Sequence, residues 1–578
     1  MDRILKNLLD DFVNSRGEII EDESVAFEQF VNFSVISSEY NRDFDIEDVT
    51  VGKGDDTGID GVAILANGQL VNSTEDIDLL IQQNNYLEIK YVFVQAKTSP
   101  HFESSEINQF AFGVKDFFAE TPMLRRNSDI QDWAQLSDYI LSKATHFREN
   151  PMCKLYYVTA GVWNNDQNNR AVLDTTEREL SEMNLFSDVN FMALGAREIS
   201  TLYRQTKNRI SATIAFAEKV TLPDLPDIDQ AYYGILPFSE FKKLIVDENG
   251  NLRGIFYDNI RDFQGLSNPI NSTIKETLQE ANPELFTVLN NGVTVVASEL
   301  RAAGNRFTVI DYQIVNGCQT SNILFDFRTH TELNNLRIPL RLIVTNNEDV
   351  KTKITVATNS QTAIKREQLQ AMTEFQKNLE RYYNSFQGDG RLHYERRDKQ
   401  YQNDSSIPRT KIITMQTQIK AFGSMFLEMP HRVTSYFGGV VKQNIEVDSP
   451  TIFNPEHKFS PYYTSALAYY RLDAFFRTKA LDSKYRKVKF FLLLLFRKLV
   501  SPENLPQNHM TSERQSERYC QPIIEILNDR EKALSYFTRA TEIVDQSPVV
   551  LEDKKALKNA STTKDLLDTW SKSHATSP

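Results

Sequence analysis

The sequence predicts an α/β protein with a mixed sheet in its N-terminal domain, an α+β middle domain and a mainly helical C-terminal region. Two helical runs precede alternating strand-like and helical segments, and aromatic-rich helical stripes follow residue 460. At 578 residues the chain is too long for a single core. These patterns divide it into residues 1–220, 221–455 and 456–578, with the Pro- and Asp-rich stretch TLPDLPDIDQ as the first boundary.

The N-terminal domain is predicted to contain a β-hairpin followed by further strands and helices. The run VAIL, the dipeptide Asn67-Gly68 and the run QLV form a hairpin signal, because Asn-Gly fits a type I′ turn. Residues 86–98 (YLEIKYVFVQAKT) are rich in β-branched and aromatic residues, which predicts a strand. A helix over 106–119 and strands at 154–162 and 189–195 complete a three-layer α/β arrangement.

Charge and composition exclude several classes of protein. The net charge of −13 rules out coating nucleic acid through a general positive field, so any nucleic acid must bind in a local groove, with help from divalent cations. The apolar run FFLLLLF (490–496) is too short to span a bilayer, and the acidic N-terminus does not fit a signal peptide. We therefore expect a cytoplasmic protein with no membrane partner.

Asp60, Gln95 and Lys97 form the candidate catalytic site. Asp60 precedes the predicted hairpin, and the other two lie near the end of the next strand. Because alternate residues of a strand share a face, Gln95 and Lys97 point the same way, and Asp60 reaches them if the strand lies beside the hairpin. Asp60 and the weaker ligand Gln95 offer oxygen atoms to Mg²⁺ or Mn²⁺, and Lys97 adds a positive charge. This arrangement favours metal-dependent phosphodiester hydrolysis.

The spacing resembles the PD-(D/E)xK nuclease pattern, in the variant where glutamine replaces the second acid. A competing triplet, Glu88-Ile89-Lys90, lies on the opposite face of the same strand. The helix that directly follows Lys97 favours the later triplet. In this fold a third acid often comes from a preceding helix, which makes Glu28 the candidate metal ligand and Glu23 a lesser one. The alternative for Glu28 is an ordinary solvated helix residue.

Several segments of the chain together resemble one bacterial family. They are GIDGVAI and FVQAKTS near the N-terminus, then NPINSTIKETL, LFTVLNNGVTVVAS, YQIVNGCQTSNILF and TNSQTAIKREQL between 268 and 369, and later PYYTSALAYYRLDAFFR. Their order and sequence closely resemble the abortive infection phage resistance (AIPR) family. The resemblance implies a phage-defence protein with a restriction-endonuclease-like N-terminal region. By position, it assigns the nuclease residues to Asp60, Gln95 and Lys97.

Two amide-rich turns in the second half form a candidate pocket for a ligand or nucleic acid. Backbone N–H groups where a turn opens into a helix bind anions, and amide side chains can read a base edge. The alternative is that turn geometry alone selects these Asn-Gly pairs. The candidate residues are Asn290, Asn291, Asn316, Gln319 and Thr320, with Asn359 from a third amide-rich segment.

The segment RLHYERRDKQY (391–401) is a candidate nucleic-acid contact. Arg396 and Arg397 alternate with aromatic residues, which suits phosphate contact and base stacking. Residues 365–420 hold 11 Lys+Arg against 7 Asp+Glu in an otherwise acidic chain. A solvated amphipathic loop is the alternative.

These features predict a Mg²⁺- or Mn²⁺-dependent endonuclease of anti-phage defence, restrained by its C-terminal half until infection. DNA is the expected substrate, and RNA cleavage is an alternative because the three site residues do not distinguish the two. The rival hypothesis is a sensor that recognises a phage-derived trigger or a nucleotide, with an inactive nuclease fold. A homodimer is expected because a double-strand break needs two active sites.

Overall fold

The protein is described by a computed structural model that divides into two compact units. The first unit comprises residues 1–82, 86–206 and 372–578, and the second comprises 83–85 and 207–371. No helix among the described residues is long and apolar enough to cross a membrane. The described residues are 1–17, 20, 22–40, 44–52, 54–207, 210–247, 250, 252–253, 255, 278, 285–330, 333, 336–359, 363–396, 400–401, 406–434, 437–445, 447, 449–551 and 553–575.

The N-terminal part of the first unit is built on a five-stranded mixed sheet of order β2-β1-β3-β4-β5. β3 pairs antiparallel with β1 and parallel with β4, so it is the central strand. The strands are β1 (Gly61–Ala66), β2 (Gln69–Val71), β3 (Ile89–Lys97), β4 (Met152–Thr159) and β5 (Asp188–Leu194). The helices are α1 (Arg3–Arg16), α2 (Glu23–Glu39), α3 (Thr74–Asn84), α4 (Ser104–Phe117), α5 (Ser128–Ser142), α6 (Gln167–Glu182) and α7 (Ala196–Lys207).

Helices cover both faces of this sheet, which gives three layers. Val92 and Val94 of β3 pack with α1, α2 and α7 in one apolar core. Tyr91 and Phe93 pack with α4, α5 and α6 in a second core on the other face. The alternation along β3 places Gln95 and Lys97 on the α4 face.

The C-terminal part of the first unit is a helical array around a third apolar core. Two short strands, His393–Glu395 and Ile412–Thr414, pair in parallel beside it. The helices with an end or all of their length in this part are Ala363–Asn384, Met415–Phe426, Pro430–Val433, Phe437–Asn444, Ser460–Arg477, Lys489–Val500, Gln507–Met510, Glu513–Asn528, Arg530–Gln546, Lys554–Leu557 and Ala560–Ala575.

The second unit is built on a six-stranded sheet of order β6-β10-β9-β11-β8-β7. β9 and β10 form an antiparallel hairpin, and β11 pairs with β9 in parallel. The strands are β6 (Ser211–Ala215), β7 (Glu218–Thr221), β8 (Gln230–Pro237), β9 (Val293–Ala303), β10 (Arg306–Asn316) and β11 (Arg337–Val344). The helices are Phe238–Ile245, Phe286–Leu289, Cys318–Asp326 and Glu348–Asn359.

The predicted fold class is confirmed, with mixed sheets in the N-terminal half and helices in the C-terminal region. The hairpin forms where the Asn67-Gly68 signal placed it, and both turn residues have positive φ. The stretch TLPDLPDIDQ connects β7 to β8, two paired strands of the same sheet. The contacts also group the N-terminal and C-terminal parts into one unit, where the sequence patterns, which reflect only local periodicity, divide them.

Candidate functional site

Asp60 lies at the junction between a loop and β1 and is bound to the end of β3. Its main-chain N–H donates to the Val94 carbonyl at 2.9 Å, which extends the ladder between the two strands. Its side-chain Oδ2 accepts a hydrogen bond from the main-chain N–H of Ala96 at 2.8 Å. The carboxylate therefore contacts the backbone between Gln95 and Lys97, and the structure brings the three predicted residues together.

Gln95 is the buried member of this group. Only 3% of its surface is exposed, and its Oε1 has no hydrogen-bond partner within the described part of the chain. Its Nε2 lies 3.4 Å from the position that a Cβ on Gly58 would occupy, and the main-chain N and Cα of Phe110 on α4 lie 3.6 and 3.5 Å from that point. A buried amide oxygen without a partner is costly, so this oxygen is available to a ligand.

Lys97 is the last residue of β3 and is partly exposed. Its main-chain carbonyl accepts a hydrogen bond from Ala160 at 3.1 Å, which holds the strand end in place. Because it is two residues after Gln95, its side chain leaves the same face of the sheet. The prediction that Gln95 and Lys97 share one face of β3 agrees with the packing of Ala96. Ala96 lies in the apolar core on the opposite face, which β3 forms with α1, α2 and α7.

Two residues that the sequence patterns did not single out lie at the same place. Tyr157 of β4 is the register partner of Gln95. Its hydroxyl donates to Oε2 of Glu106, in the first turn of α4, at 2.9 Å. Burial raises the pKa of Tyr157, and the carboxylates of Glu106, Glu103 and Asp60 raise it further. Two further carboxylates are therefore close to the phenol that lies beside Gln95.

The donor atoms of this group fit a hard divalent cation. Asp60 supplies a carboxylate, and the orphaned Gln95 Oε1 supplies a neutral oxygen, both of which suit Mg²⁺ or Mn²⁺. Among the described side chains, no three histidines, cysteines, aspartates or glutamates form a group able to hold a metal ion. A cation held here would therefore depend on the amide as well as on carboxylates.

Glu28 lies on α2, one helical turn before Asn32. Asn32 contacts the site directly, because its Nδ2 donates to the Asp60 carbonyl at 2.9 Å. Residues four apart share a helix face, so Glu28 lies on the same side of α2 as Asn32. The role of Glu28 as a metal ligand stays a prediction. The lesser candidate, Glu23, pairs with Lys6 at 2.8 Å.

The two amide-rich turns of the second unit meet because of the hairpin. Asn316 at the end of β10 is in register with Thr294 near the start of β9. Asn290 donates to the Thr320 hydroxyl at 3.1 Å, and its Oδ1 accepts from the Gly292 N–H at 2.9 Å.

The other candidate residues around these turns differ in exposure. Asn291 is exposed, whereas Asn316 and Gln319 are partly buried. The side chain of Asn359, at the end of its helix, lies outside the described residues.

Arg396 is engaged inside the protein. Its guanidinium pairs with Glu380, and only 10% of the arginine side chain is exposed. Glu380 also accepts hydrogen bonds from Gln400 and from the Tyr401 hydroxyl. Arg397 lies outside the described residues. In this conformation Arg396 is a structural residue, and a contact with nucleic acid stays a prediction.

Comparison with known proteins identifies one family. The family model described as AIPR protein matches residues 256–565, more than half of the chain. No curated protein and no solved structure matches the chain. The matched range includes the two amide-rich turns and the C-terminal helices, and it begins after the Asp60, Gln95 and Lys97 site.

Proposed function

Because the chain belongs to the AIPR protein family, we propose that it is a phage-defence nuclease that hydrolyses DNA phosphodiesters with a divalent cation. Family membership supports the role in phage defence by abortive infection. The nuclease activity is the finer part of the proposal. It depends on the Asp60 carboxylate bound at the Ala96 N–H, beside a buried Gln95 Oε1 that has no partner among the described residues.

Each residue has a distinct role in this proposal. Asp60 and Gln95 hold the cation, which when bound neutralises charge on the phosphate and lowers the pKa of a water molecule. The hydrogen bond from Ala96 fixes the Asp60 carboxylate at the end of β3, so this carboxylate need not move to bind the cation. Lys97 extends from the same face and stabilises the negative charge that develops on the phosphate during attack.

Restraint by the C-terminal part is also proposed, and contacts within the first unit support it. Lys489 pairs with Asp45 at 2.7 Å and Arg486 pairs with Glu47 at 2.6 Å. The chain continues from there to Val51, whose N–H donates to the Asp60 carbonyl at 3.0 Å. A change in the C-terminal helices therefore has a short covalent and hydrogen-bonded route to Asp60.

A cleavage assay on plasmid DNA with Mg²⁺ or Mn²⁺ tests the proposal. Asp60→Asn keeps the shape and the acceptor for Ala96 but loses the charge, so we expect cleavage to fall about 10³-fold. Lys97→Met should reduce it about 10²-fold. Asp55→Asn is the matched control, because Asp55 lies exposed in the same loop and its positive φ of 48° suits asparagine. Equal cleavage by wild type and Asp60→Asn would reject the site.

The same assay tests restraint. Replacing Arg486 and Lys489 together by methionine removes their ion pairs with Asp45 and Glu47 and keeps the aliphatic stems. If that segment restrains the site, basal cleavage rises in the double variant. Unchanged basal cleavage with an intact fold would remove these ion pairs from the mechanism of restraint.

The sensor hypothesis has one observation in its favour. The family match covers the turns at Asn290 and Asn316 but not Asp60. In that case phage protection would survive Asp60→Asn and be lost in Asn316→Ala. The cleavage assay run in parallel on single-stranded RNA decides between DNA and RNA as substrate.

A further inference from the structure

We propose that Glu106 supplies the second carboxylate of the cation site, in place of the acid that Gln95 lacks. This inference rests on the proposed nuclease function, because the cation is the one that the nuclease would use. It assigns a role to a residue of α4 that neither the sequence pattern nor the family match marks.

The placement of α4 carries the first step of the argument. α4 packs over β3 in the opposite direction, since Phe117 near its C-terminus lies 5.0 Å from the Phe93 ring, centroid to centroid. Phe110, two turns earlier, lies 6.4 Å from the ring of Tyr157, which is the register partner of Gln95. The first turn of α4, with Glu106, therefore overlies the end of β3 where Gln95 and Lys97 lie.

A close backbone contact holds α4 in this position. A Cβ on Gly113 would lie 2.0 Å from the carbonyl oxygen of Thr57, so only glycine allows the loop before Asp60 to approach the helix. A Cβ on Gly58 of the same loop would lie 3.4 Å from Gln95 Nε2 and 3.5 Å from the Phe110 Cα, which is ordinary van der Waals distance, so this part of the loop lies beside both the helix and the strand end. The loop, the helix and the strand end thus pack against one another.

The contact with Tyr157 holds the Glu106 carboxylate near the strand position of Gln95. The tyrosine hydroxyl donates to Glu106 Oε2 at 2.9 Å from the strand position beside Gln95. Only 3% of the Gln95 surface is exposed, and its Oε1 has no partner among the described residues. This oxygen is the independent sign of a missing ligand. Asp60, Gln95 and Glu106 then form a set of two carboxylates and one amide oxygen, which suits Mg²⁺ or Mn²⁺.

Mn²⁺ binding to the full-length protein, measured by calorimetry without nucleic acid, tests this assignment. Glu106→Gln keeps an acceptor for Tyr157 but loses the charge, so Mn²⁺ should bind at least ~10-fold more weakly. Gln95→Glu adds a carboxylate at the neighbouring position, so it should tighten binding, and tighten it more in the Glu106→Gln background than in the wild-type background. A merely structural role for Glu106 would give the same gain in both backgrounds.

Two further variants separate this inference from the nuclease proposal. Glu179→Gln is the control, because Glu179 pairs with Lys115 near the other end of α4. It should bind Mn²⁺ like wild type. If Asp60→Asn loses Mn²⁺ and Glu106→Gln does not, the Glu106 assignment is wrong and the nuclease site stands. If wild type binds no Mn²⁺, both are overturned.

Discussion

The polar side chains at the two ends of β3 differ in whether they have partners within the described part of the protein. At its beginning, Lys90 pairs with Glu39 at 3.0 Å, and the same carboxylate pairs with Lys154 at 2.9 Å and accepts from the Tyr156 hydroxyl. At its end, the buried Gln95 Oε1 has no partner among the described residues. The carboxylate of the first group finds its partners within the protein, whereas in our proposal a cation supplies the missing partner of the second. A polar or charged residue on a strand therefore indicates a functional site only when its hydrogen-bond and ion-pair partners are also known.

This difference also separates the two triplets that the sequence offers on β3. Lys90 of the Glu88-Ile89-Lys90 triplet is held by Glu39, and Glu88 lies 3.8 Å from Arg148. These contacts give the earlier triplet a structural role. In the later triplet, Gln95 Oε1 has no partner among the described residues, and the Ala96 N–H is bound by the Asp60 carboxylate. This difference is the reason that we propose Gln95 and Lys97, rather than Glu88 and Lys90, as the functional pair.

The largest effect expected from this comparison is on stability, at the beginning of β3. Glu39→Gln leaves Lys90 and Lys154 partly buried without a countercharge, so the free energy of unfolding should fall by about 3 kcal/mol. Urea unfolding measures this change. Mn²⁺ binding below the unfolding transition should remain as in wild type, because the proposed cation site is at the other end of the strand. Loss of Mn²⁺ binding with an intact fold would contradict the separation of the two ends.

The pH dependence of the same variant gives a second check. Burial raises the pKa of Glu39, but Lys90, Lys154 and the hydrogen bond from Tyr156 outweigh burial and lower the pKa to about 2. A carboxyl with a lowered pKa in the folded state stabilises the protein above its ordinary pKa, and this stabilisation is lost as the pH falls toward 2. The difference in unfolding free energy between wild type and Glu39→Gln should therefore be constant from pH 5 to 8 and narrow below about pH 4.5.

The next effect, at the end of β3, has the opposite sign. Gln95→Met replaces a side chain whose buried amide oxygen has no partner among the described residues by an apolar side chain of similar shape. We expect the free energy of unfolding to rise by about 1 kcal/mol while Mn²⁺ binding and cleavage fall. Urea unfolding and calorimetry on the same preparation measure both. A destabilised Gln95→Met would mean that the amide already has its partners inside the protein.

The sequence predicted the elements of this site better than its contacts. Alternation along 86–98 predicted which residues of β3 share a face, and the Asn-Gly turn predicted the hairpin that brings Asp60 beside the strand. Both are local patterns, with a period of two residues or a single dipeptide. The face of the sheet on which each β3 residue lies then follows from hydrophobicity alone, because alternate apolar residues of the strand pack into one core or the other.

The partners of the charged residues could not be predicted in this way. Glu39 pairs with Lys90 across 51 positions and with Lys154 across 115 positions. Glu106 is one glutamate among many until the packing of α4 places it beside Tyr157. Arg396 has the composition of a phosphate contact, yet its ion pair with Glu380 forms inside the protein. Periodicity fixes the face of a residue, but only the tertiary structure chooses its partner.

The smallest effects come from two neighbouring tyrosines of β4, which face opposite sides of the sheet. The Tyr156 hydroxyl donates to Glu39 and the Tyr157 hydroxyl donates to Glu106. Tyr156→Phe should lower the free energy of unfolding by about 1 kcal/mol and leave Mn²⁺ binding unchanged. Tyr157→Phe keeps the Glu106 charge but removes the hydrogen bond that positions its carboxylate. It should weaken Mn²⁺ binding by roughly threefold, less than loss of the Glu106 carboxylate itself would.

Each of these variants is the control for the other, since both remove one hydroxyl from adjacent positions of one strand. Urea unfolding and Mn²⁺ calorimetry give a free energy of unfolding and an Mn²⁺ affinity for each variant. The comparison requires Tyr156→Phe to lose more stability and Tyr157→Phe to lose more Mn²⁺ affinity. Equal losses of Mn²⁺ affinity in the two variants would mean that the phenylalanines act through general loosening of β4. In that case the hydrogen bond between Tyr157 and Glu106 would have no specific part in holding the cation.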